Sequence, residues 1–181
     1  MNQVAEKEDF QTIFVKRLYK LDAGERARLK RNAGTAMEKS HNVMGLFYKK
    51  LLYDRTLRDY QENTYFLVAT LFALEKKLKK NQEGDEEKMS KRPDNFGKSL
   101  GKIRWRANAK KENSAKGLDT RFERLLDADE QQLPYYMRRE ILFLFNNGGS
   151  VDWVMLLKDL LNWHHPNRYI RRKWARDYFS P

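Results

Sequence analysis

The sequence has no cysteine among its 181 residues. This absence excludes disulfide bonds, iron–sulfur clusters, cysteine-ligated zinc and thiol nucleophiles, and it is compatible with a reducing cytosol. Histidine is scarce as well, with three residues in the chain. His164 and His165 are adjacent, so on one helix they point about 100° apart and cannot both ligate a metal with good geometry, while His41 is isolated. The composition therefore provides few ligands for a metal centre.

Long apolar runs are also missing. The longest run, Tyr65 to Leu74, has about half of the ~20 residues that a membrane span needs. Residues Met1 to Glu8 are polar and charged, and they match neither a secretory signal nor a transit peptide. We therefore expect a soluble, cytoplasmic protein that is not associated with a membrane.

Known catalytic motifs are absent from the sequence. The chain has no glycine-rich phosphate loop, no helical zinc pair, and no serine or threonine set beside a histidine base. The cluster of Asp127, Asp129 and Glu130 has the residue type that Mg²⁺ prefers, but no further carboxylates support it nearby in sequence. We predict no catalytic residue, no metal site and no cofactor, and a Mg²⁺-dependent nuclease is the enzymatic alternative.

No stretch alternates apolar and polar residues as a strand would, whereas apolar residues recur at helical spacing along most of the chain. The sequence therefore predicts an all-α fold, a helical bundle of about nine helices with short connections. Residues 76–94 mix both charge signs and have little to bury, which indicates a mobile loop. We expect an N-terminal helical lobe at 1–80, a mobile charged loop at 81–94 and a basic C-terminal helical lobe at 95–181, with one compact domain as the alternative.

Capping residues and helix breakers locate the helices. Asp22 and Glu25 have the spacing of a capping box, Gly34 suits a helix end, and Pro134 suits a first helical turn. The expected helices are Asp9–Leu21, Asp22 to near Gly34, Asn42–Leu57, Tyr60–Leu78, Asn95–Lys111, Gly117–Asp127, one from Pro134, one from Ser150 or Asp152, and a terminal helix from His165 or Asn167. Because Tyr60–Leu78 is apolar on most sides, we predict that it lies at the centre of the bundle.

Positive charge is what the chain has in excess. Its 37 Lys and Arg outnumber 25 Asp and Glu, which gives a net charge of +12 and an isoelectric point near 9.8. Residues 91–181 hold 19 basic and 11 acidic residues, so the second half is the more basic. Such a surplus favours an anionic partner, because self-repulsion otherwise destabilises the compact state. On charge alone, nucleic acid, a membrane surface and an acidic protein all remain open as partners.

The C-terminal segment 165–179 concentrates this charge. Pro166 fits the first turn of a helix, and Ile170, Trp174 and Tyr178 then recur at i, i+4 and i+8 as a packing face. The cations on its other sides are Arg168, Arg171, Arg172, Lys173 and Arg176. Only Asp177 offsets them, so we interpret this helix as a surface for a polyanion or an acidic partner.

Residues 95–111 form a second basic segment. Its apolar residues Phe96, Leu100, Ile103 and Ala107 follow one helical stripe. Its cations are Lys98, Lys102, Arg104, Arg106, Lys110 and Lys111, and no carboxylate lies among them. Like-charge repulsion along one helix favours an anion beside it.

Three residues of this segment leave their roles open. Gly97 and Gly101 each weaken a helix by about 1 kcal/mol relative to alanine. The segment is therefore either a loop until it binds a partner, or a helix whose glycines admit a close backbone. Trp105 is able to stack on a base, but for a single tryptophan we expect packing in a groove.

Several stretches resemble the CasB family, the small subunit of the type I-E CRISPR surveillance complex called Cascade. In the second half these are Asn95-Phe-Gly-Lys-Ser-Leu100, Arg121 to Asp129, Leu133-Pro134, Val151 to Leu161, His165-Pro-Asn-Arg168 and Arg171 to Tyr178. In the first half, Gly24 to Arg31, Phe47-Tyr48 and Phe66 to Leu74 are also similar. The resemblance covers most of the chain, and it departs at the 76–91 loop in length and composition.

The resemblance implies an all-helical, non-catalytic subunit of an RNA-guided DNA surveillance complex in antiviral defence. It implies other Cascade subunits, a guide RNA, target DNA and a second copy of the chain as partners. A stand-alone basic protein that binds single-stranded nucleic acid is the alternative. The residues that we predict to contact nucleic-acid backbone are Lys98, Lys102, Arg104, Arg106, Arg139, Arg168, Arg171, Arg172 and Arg176, and, with less support, Arg26, Lys30 and Arg31.

Overall fold

The computed structural model describes residues 8–76, 94–110 and 115–180. Within these ranges every regular element is helical, with nine α-helices, two short 3-10 turns and one π turn. The predicted all-α fold is confirmed. The predicted mobile loop at 81–94 lies outside the described residues except for Asp94, so the division into two lobes stays a prediction.

The first two helices begin at the capping residues that the sequence indicates. Helix α1 (Phe10–Tyr19) starts after Asp9, whose carboxylate accepts from the Thr12 backbone N–H at 2.9 Å. Helix α2 (Ala23–Arg31) starts at the predicted capping box: Asp22 accepts from the Glu25 N–H at 2.8 Å, and Glu25 accepts from the Asp22 N–H at 3.0 Å. Each cap satisfies N–H groups that have no partner inside the helix.

The helix predicted at Asn42–Leu57 is present only as far as Leu51, and it is irregular. Short 3-10 turns at Met37–Lys39 and His41–Val43 lead into helix α3 (Met44–Leu46), which continues as a π turn over Phe47–Leu51. Arg17 of α1 donates to the Leu51 carbonyl at 2.7 Å and forms two 2.7 Å bonds to Asp54. We attribute the end of the helix to the first of these bonds, because it engages the carbonyl of the last helical residue.

Helix α4 (Asp59–Phe72) lies at the centre of the bundle, as predicted from its apolar surface. All eight of its residues from Tyr65 to Phe72 are buried. The helix ends at Phe72, earlier than the predicted Leu78, and two turn hydrogen bonds to Leu71 and Phe72 carbonyls close it. Residues 77 and 78 lie outside the described ranges.

The second half of the chain forms five helices: α5 (Phe96–Lys110), α6 (Lys116–Asp127), α7 (Leu133–Asn146), α8 (Trp153–Leu161) and α9 (Tyr169–Phe179). Pro134 lies in the first turn of α7, and Asp152 caps α8 by accepting from the Met155 N–H at 2.8 Å. The Asn95 carboxamide oxygen caps α5 by accepting from the Lys98 N–H at 2.9 Å. Local cap chemistry thus places most helix starts where the sequence predicts them.

The start of the terminal helix differs from the prediction. Helix α9 begins at Tyr169, and Pro166 lies in the preceding turn rather than in the first helical turn. Arg168 is the residue before the helix and has a left-handed backbone with φ 48°. Its N–H donates to the His165 carbonyl at 2.8 Å, which closes the turn. Arg168 therefore does not continue the helical row of Arg172 and Arg176.

The two halves of the chain share a core. Phe72 at the end of α4 packs edge-on against Trp153 at the start of α8, with ring centroids 5.4 Å apart. The Trp153 indole N–H donates to Glu75 at 3.2 Å. Buried residues of α1, α4, α7, α8 and α9 belong to one apolar cluster. Helix α9, and α5 that packs on it, are therefore attached to this common core.

Candidate nucleic-acid interface

The two basic helices, α5 and α9, pack directly against each other. A Cβ atom on Gly97 would lie 2.4 Å from the Trp174 carbonyl oxygen, and one on Gly101 would lie 2.6 Å from the Tyr178 carbonyl oxygen. The two glycines are a turn apart and meet residues that are a turn apart, so the helices run in the same direction. The glycines admit a close backbone, which confirms the second of the two interpretations of this segment.

Three cations project from the solvent side of α5. Lys98 and Lys102 both form ion pairs with Asp94, the former at 3.5 Å. Arg106 is exposed, and its Nε donates to the Lys102 carbonyl at 3.3 Å. All three side chains reach solvent, so they are accessible to a ligand.

Arg104 of α5 points inward instead. Its Nε donates to Asp119 of α6 at 2.6 Å, and its guanidinium carbon lies 5.2 Å from the centroid of the Phe179 ring. The Asp119 carboxylate raises the pKa of Arg104 by hydrogen bonding to its guanidinium. The side chain thus connects α5, α6 and the end of α9. The predicted phosphate contact of Arg104 stays a prediction beside this structural role.

The cations of α9 also divide into one that points inward and three that face solvent. Arg171 is half-buried: its Nη1 donates to the Leu126 carbonyl at 2.9 Å, and its guanidinium lies 4.9 Å from the Trp163 ring centroid. Burial, and secondarily the nearby Arg168, lower the pKa of Arg171. Arg172, Lys173 and Arg176 are exposed on the outer side of α9. Among the described residues these three side chains have no ion pair and no hydrogen bond.

We use the name α5–α9 basic surface for the exposed cations of the two helices. Its members are Lys98, Lys102, Arg106, Arg172, Lys173 and Arg176. These cations lie on two helices that pack against each other. Arg168 is exposed in the turn before α9. Lys111 lies outside the described residues.

Other predicted residues lie on other helices. Arg26 of α2 is only 8% exposed, donates to the Glu75 carbonyl at 3.0 Å and lies 4.7 Å from the Phe72 ring centroid. Lys30 and Arg31 are exposed on the same helix, which packs mainly on α4. Arg139 of α7 forms a 3.1 Å ion pair with buried Glu140. The contact of these residues with nucleic acid remains a prediction.

Trp105 is the main residue that sequence reasoning misplaced. We expected it to pack, but it is 65% exposed. It follows Lys98 by seven residues, so it lies on the cationic side of α5 and not on the stripe of Phe96 and Leu100. That spacing was the signal for its exposure. The structure therefore adds an accessible aromatic ring beside the basic residues.

The acidic cluster has a structural role. The Asp129 carboxylate accepts from the Gln132 N–H at 2.8 Å in the turn before α7. In the part of the chain that the structure describes, no group of three or more His, Asp or Glu is arranged to hold a metal ion. Over the same ranges no helix combines the length and apolarity that crossing a membrane requires.

Residues 25–179 match the sequence model of the family described as CRISPR-associated protein Cse2. A curated relative of that description, from Thermus thermophilus, is 29% identical over 123 residues, which are 68% of this chain and 60% of the relative. The matched part of the chain thus spans about three fifths of the length of that curated relative.

Two solved structures have a similar fold. M. ruber CasB has a TM-score of 0.69 at 24% identity, with 96% of this chain and 94% of CasB covered. A chain of a CRISPR RNA-guided surveillance complex in a pre-nicking form has a TM-score of 0.67 at 25% identity, with 94% and 92% covered. The resemblance to CasB found in the sequence is confirmed. Because the family match covers most of the residues, the chain belongs to the CRISPR-associated Cse2 family.

Proposed function

We propose that this chain is the non-catalytic small subunit of a type I-E Cascade, an RNA-guided DNA surveillance complex. In this proposal the α5–α9 basic surface holds the sugar–phosphate backbone of target DNA that the complex has opened. The family match and the fold of a chain in a surveillance complex support membership of such an assembly. The other subunits, the guide RNA and a second copy of the chain are its proposed partners.

The observation that carries the proposal is the close contact of two basic helices. Gly97 and Gly101 let α5 approach the α9 backbone, so cations of both helices lie on neighbouring, rigid elements. Arg172, Lys173 and Arg176 form no ion pair among the described residues, and Lys173 has only a longer-range electrostatic interaction with Asp159. A strand backbone beside them would supply the missing anions.

The physical role follows from the energetics of strand exchange. Pairing of a guide with DNA replaces one duplex by another of about equal stability, so contacts that ignore sequence can tip the balance. Each phosphate neutralised on a single strand adds about 0.7 to the slope of log affinity against log salt. Lys and Arg side chains on packed helices provide such contacts without reading bases.

Charge reversal on α9 tests this function. The variant Arg172→Glu with Arg176→Glu changes two exposed side chains that have no internal partner among the described residues, so the fold should be retained. The control Lys39→Glu with Lys49→Glu makes the same change of net charge on exposed residues of the first half. The measurements are the affinity for single-stranded oligothymidylate over a salt series, and the lifetime of the opened target DNA on the co-purified complex.

We expect the α9 variant to reduce the salt slope by about 0.7 for each lost contact and to shorten the lifetime of the opened DNA. The control should retain more of the salt slope and more of the lifetime of the opened DNA. Equal effects of the two variants would show that only net charge matters and would overturn the proposed surface. Tight binding by the isolated chain, with no complex recovered on a tagged copy, would favour the stand-alone binding protein instead.

A further inference from the structure

Helices α6 and α7 enclose a second basic feature, apart from the α5–α9 basic surface. One face of α7 and Arg121 of α6 surround an open cavity of about 330 Å³. Its walls include Arg121, Tyr135, Arg138, Arg139, Leu142 and Phe143. The volume lies at the lower end of the ~300–1,000 Å³ range of small-molecule sites, so it suits one small ligand.

A buried carboxylate orients two of the arginines. Glu140 is 3% exposed, and its Oε1 accepts from Arg121 Nε at 3.3 Å, Arg121 Nη2 at 3.2 Å and Arg139 Nε at 3.1 Å. Bonds of this kind fix the plane of a guanidinium. Three guanidiniums face the cavity and this carboxylate compensates one of them, so the cavity has a net positive charge.

Two arginines of the cavity have guanidinium N–H groups without a partner among the described residues. Arg139 Nη2 is buried and has no hydrogen-bond partner among the described residues. Arg138 is exposed, and its guanidinium has no ion pair with any described residue. The stem of Arg138 packs on the loop after α2, where a Cβ on Gly34 would lie 2.6 Å from Arg138 Cδ. A buried donor without a partner is costly. The Arg139 side chain as a whole is 28% exposed and lines the cavity, where its guanidinium can meet an anionic oxygen.

The cavity also has an accessible aromatic ring. Tyr135 is 60% exposed at its rim, whereas the Phe143 ring is covered by the Arg121 guanidinium at 4.6 Å from its centroid. A phosphate ion alone would use only the arginines. A nucleotide would use both features, because its phosphate is an anion and its base stacks on an aromatic face.

We infer that the α6–α7 cavity binds one nucleotide of a single strand, with the phosphate at Arg138 and Arg139 and the base stacked on Tyr135. This inference rests on the proposed function for the source of the strand. It goes beyond that function because binding at this cavity depends on the presence of a base as well as on charge. The α5–α9 basic surface requires phosphates alone.

The test compares two strands with equal numbers of phosphates, oligothymidylate and the same chain made of abasic residues. The full-length protein is titrated with each strand at low salt, and the ratio of the two dissociation constants is measured. Stacking of one base contributes about 1–3 kcal/mol, so Tyr135→Ala should reduce the ratio roughly fivefold to 150-fold. Tyr60→Ala removes a tyrosine of similar exposure, 51%, from α4 and should leave the ratio unchanged.

A second variant tests the phosphate half of the site. Arg138→Gln should weaken the binding of both strands by a similar factor and keep their ratio. If Tyr135→Ala retains the wild-type ratio, the nucleotide site is overturned. Equal binding of the two strands by the wild-type protein overturns it as well. In that case an acidic side chain of a partner protein would be the occupant that fits the cavity. Failure of the proposed function appears separately, as an unchanged salt slope in the α9 charge-reversal variant.

Discussion

The α4–α8 and α5–α9 contacts lie in one bundle but are built in opposite ways. At the α4–α8 contact large aromatic rings fill the space between the helices. Phe72 and Trp153 are almost fully buried, and Tyr19 packs edge-on against Phe72 with ring centroids 4.8 Å apart. At the α5–α9 contact Gly97 and Gly101 contribute no side chain, and backbone meets backbone beside a single ring contact of Phe96 with Trp174 at 5.2 Å.

The difference shows how the bundle combines stability with a basic surface. Large buried rings stabilise the centre through the apolar area that they remove from water. The glycine contact brings two helices so close that their backbones meet, and it places the cations of α5 and α9 on adjacent helices. The first contact should therefore be sensitive to loss of volume, and the second to its gain.

The largest effect should come from Phe72→Ala at the α4–α8 contact. Phe72 is fully buried and touches Tyr19, Trp153 and the Arg26 guanidinium, so its truncation leaves a cavity between α1, α2, α4 and α8. We expect a loss of about 3–5 kcal/mol in the free energy of unfolding, measured by urea denaturation. Phe72→Leu keeps most of the volume and should cost clearly less. Equal losses for the two variants would contradict the role of ring volume.

The second prediction concerns Gly101, where two explanations predict changes in stability of opposite sign. Gly101→Ala should stabilise α5 by about 1 kcal/mol if only helix propensity matters. Because its Cβ would meet the Tyr178 carbonyl at 2.6 Å, we expect a destabilisation of about 1–3 kcal/mol instead. Gly117→Ala is the control, since nothing lies within 4 Å of its Cβ on α6, and it should be neutral or stabilising. A stabilised Gly101→Ala protein would show that the helices do not touch.

The helix starts were predictable because their causes are local. The Asp22 and Glu25 capping box and the Asp152 cap each act within three residues, and the structure shows their hydrogen bonds. The break at Leu51 was not predictable, because it depends on Arg17 of another helix. A pattern of apolar residues gives no information on a bond across 34 positions.

The candidate surface was predictable in part for a similar reason. Helical spacing separates packed from solvent-facing positions, and it correctly groups Lys98, Lys102 and Arg106. It does not identify the arginines whose long stems reach internal partners. Arg104 reaches Asp119, and Arg171 reaches a carbonyl 45 positions away. Charge counts in the sequence therefore overstate the number of cations that are available to a ligand.

Two carboxylates in the interior of the bundle accept from indole N–H groups, and pH can probe both of them. Trp153 at the start of α8 donates to Glu75 at 3.2 Å, and Trp174 of α9 donates to Asp159 of α8 at 2.6 Å. Burial raises the pKa of both carboxyl groups above their ordinary values of 4.5 and 3.8. The folded protein therefore keeps these protons to higher pH than the unfolded chain does. Stability from this source is complete below the ordinary pKa values and is lost as the pH rises through the folded pKa values.

We expect the double variant Glu75→Gln with Asp159→Asn to have a flatter pH dependence than the wild type. Relative to the wild type it should gain stability as the pH is raised from about 4 to 8, measured by thermal unfolding. The contribution of Asp9 to stability has the opposite pH dependence, because the Lys158 ion pair and the Thr12 N–H lower its pKa to about 2. Its contribution is lost only in acid, so it does not mask the effect. Parallel pH curves for the two proteins would contradict buried, protonated carboxyls.

The smallest change in stability should come from Asp94→Asn, which acts on the α5–α9 basic surface itself. Asp94 pairs with both Lys98 and Lys102, and both lysines are about half exposed. Surface pairs of this kind contribute little, so the free energy of unfolding should change by less than about 0.5 kcal/mol. The affinity for single-stranded oligothymidylate should nevertheless rise, with a salt slope steeper by up to about 0.7 for each lysine released. An unchanged slope would show that the strand lies on the α9 side alone, because the lysines of α5 would then be free and still not in contact with phosphate.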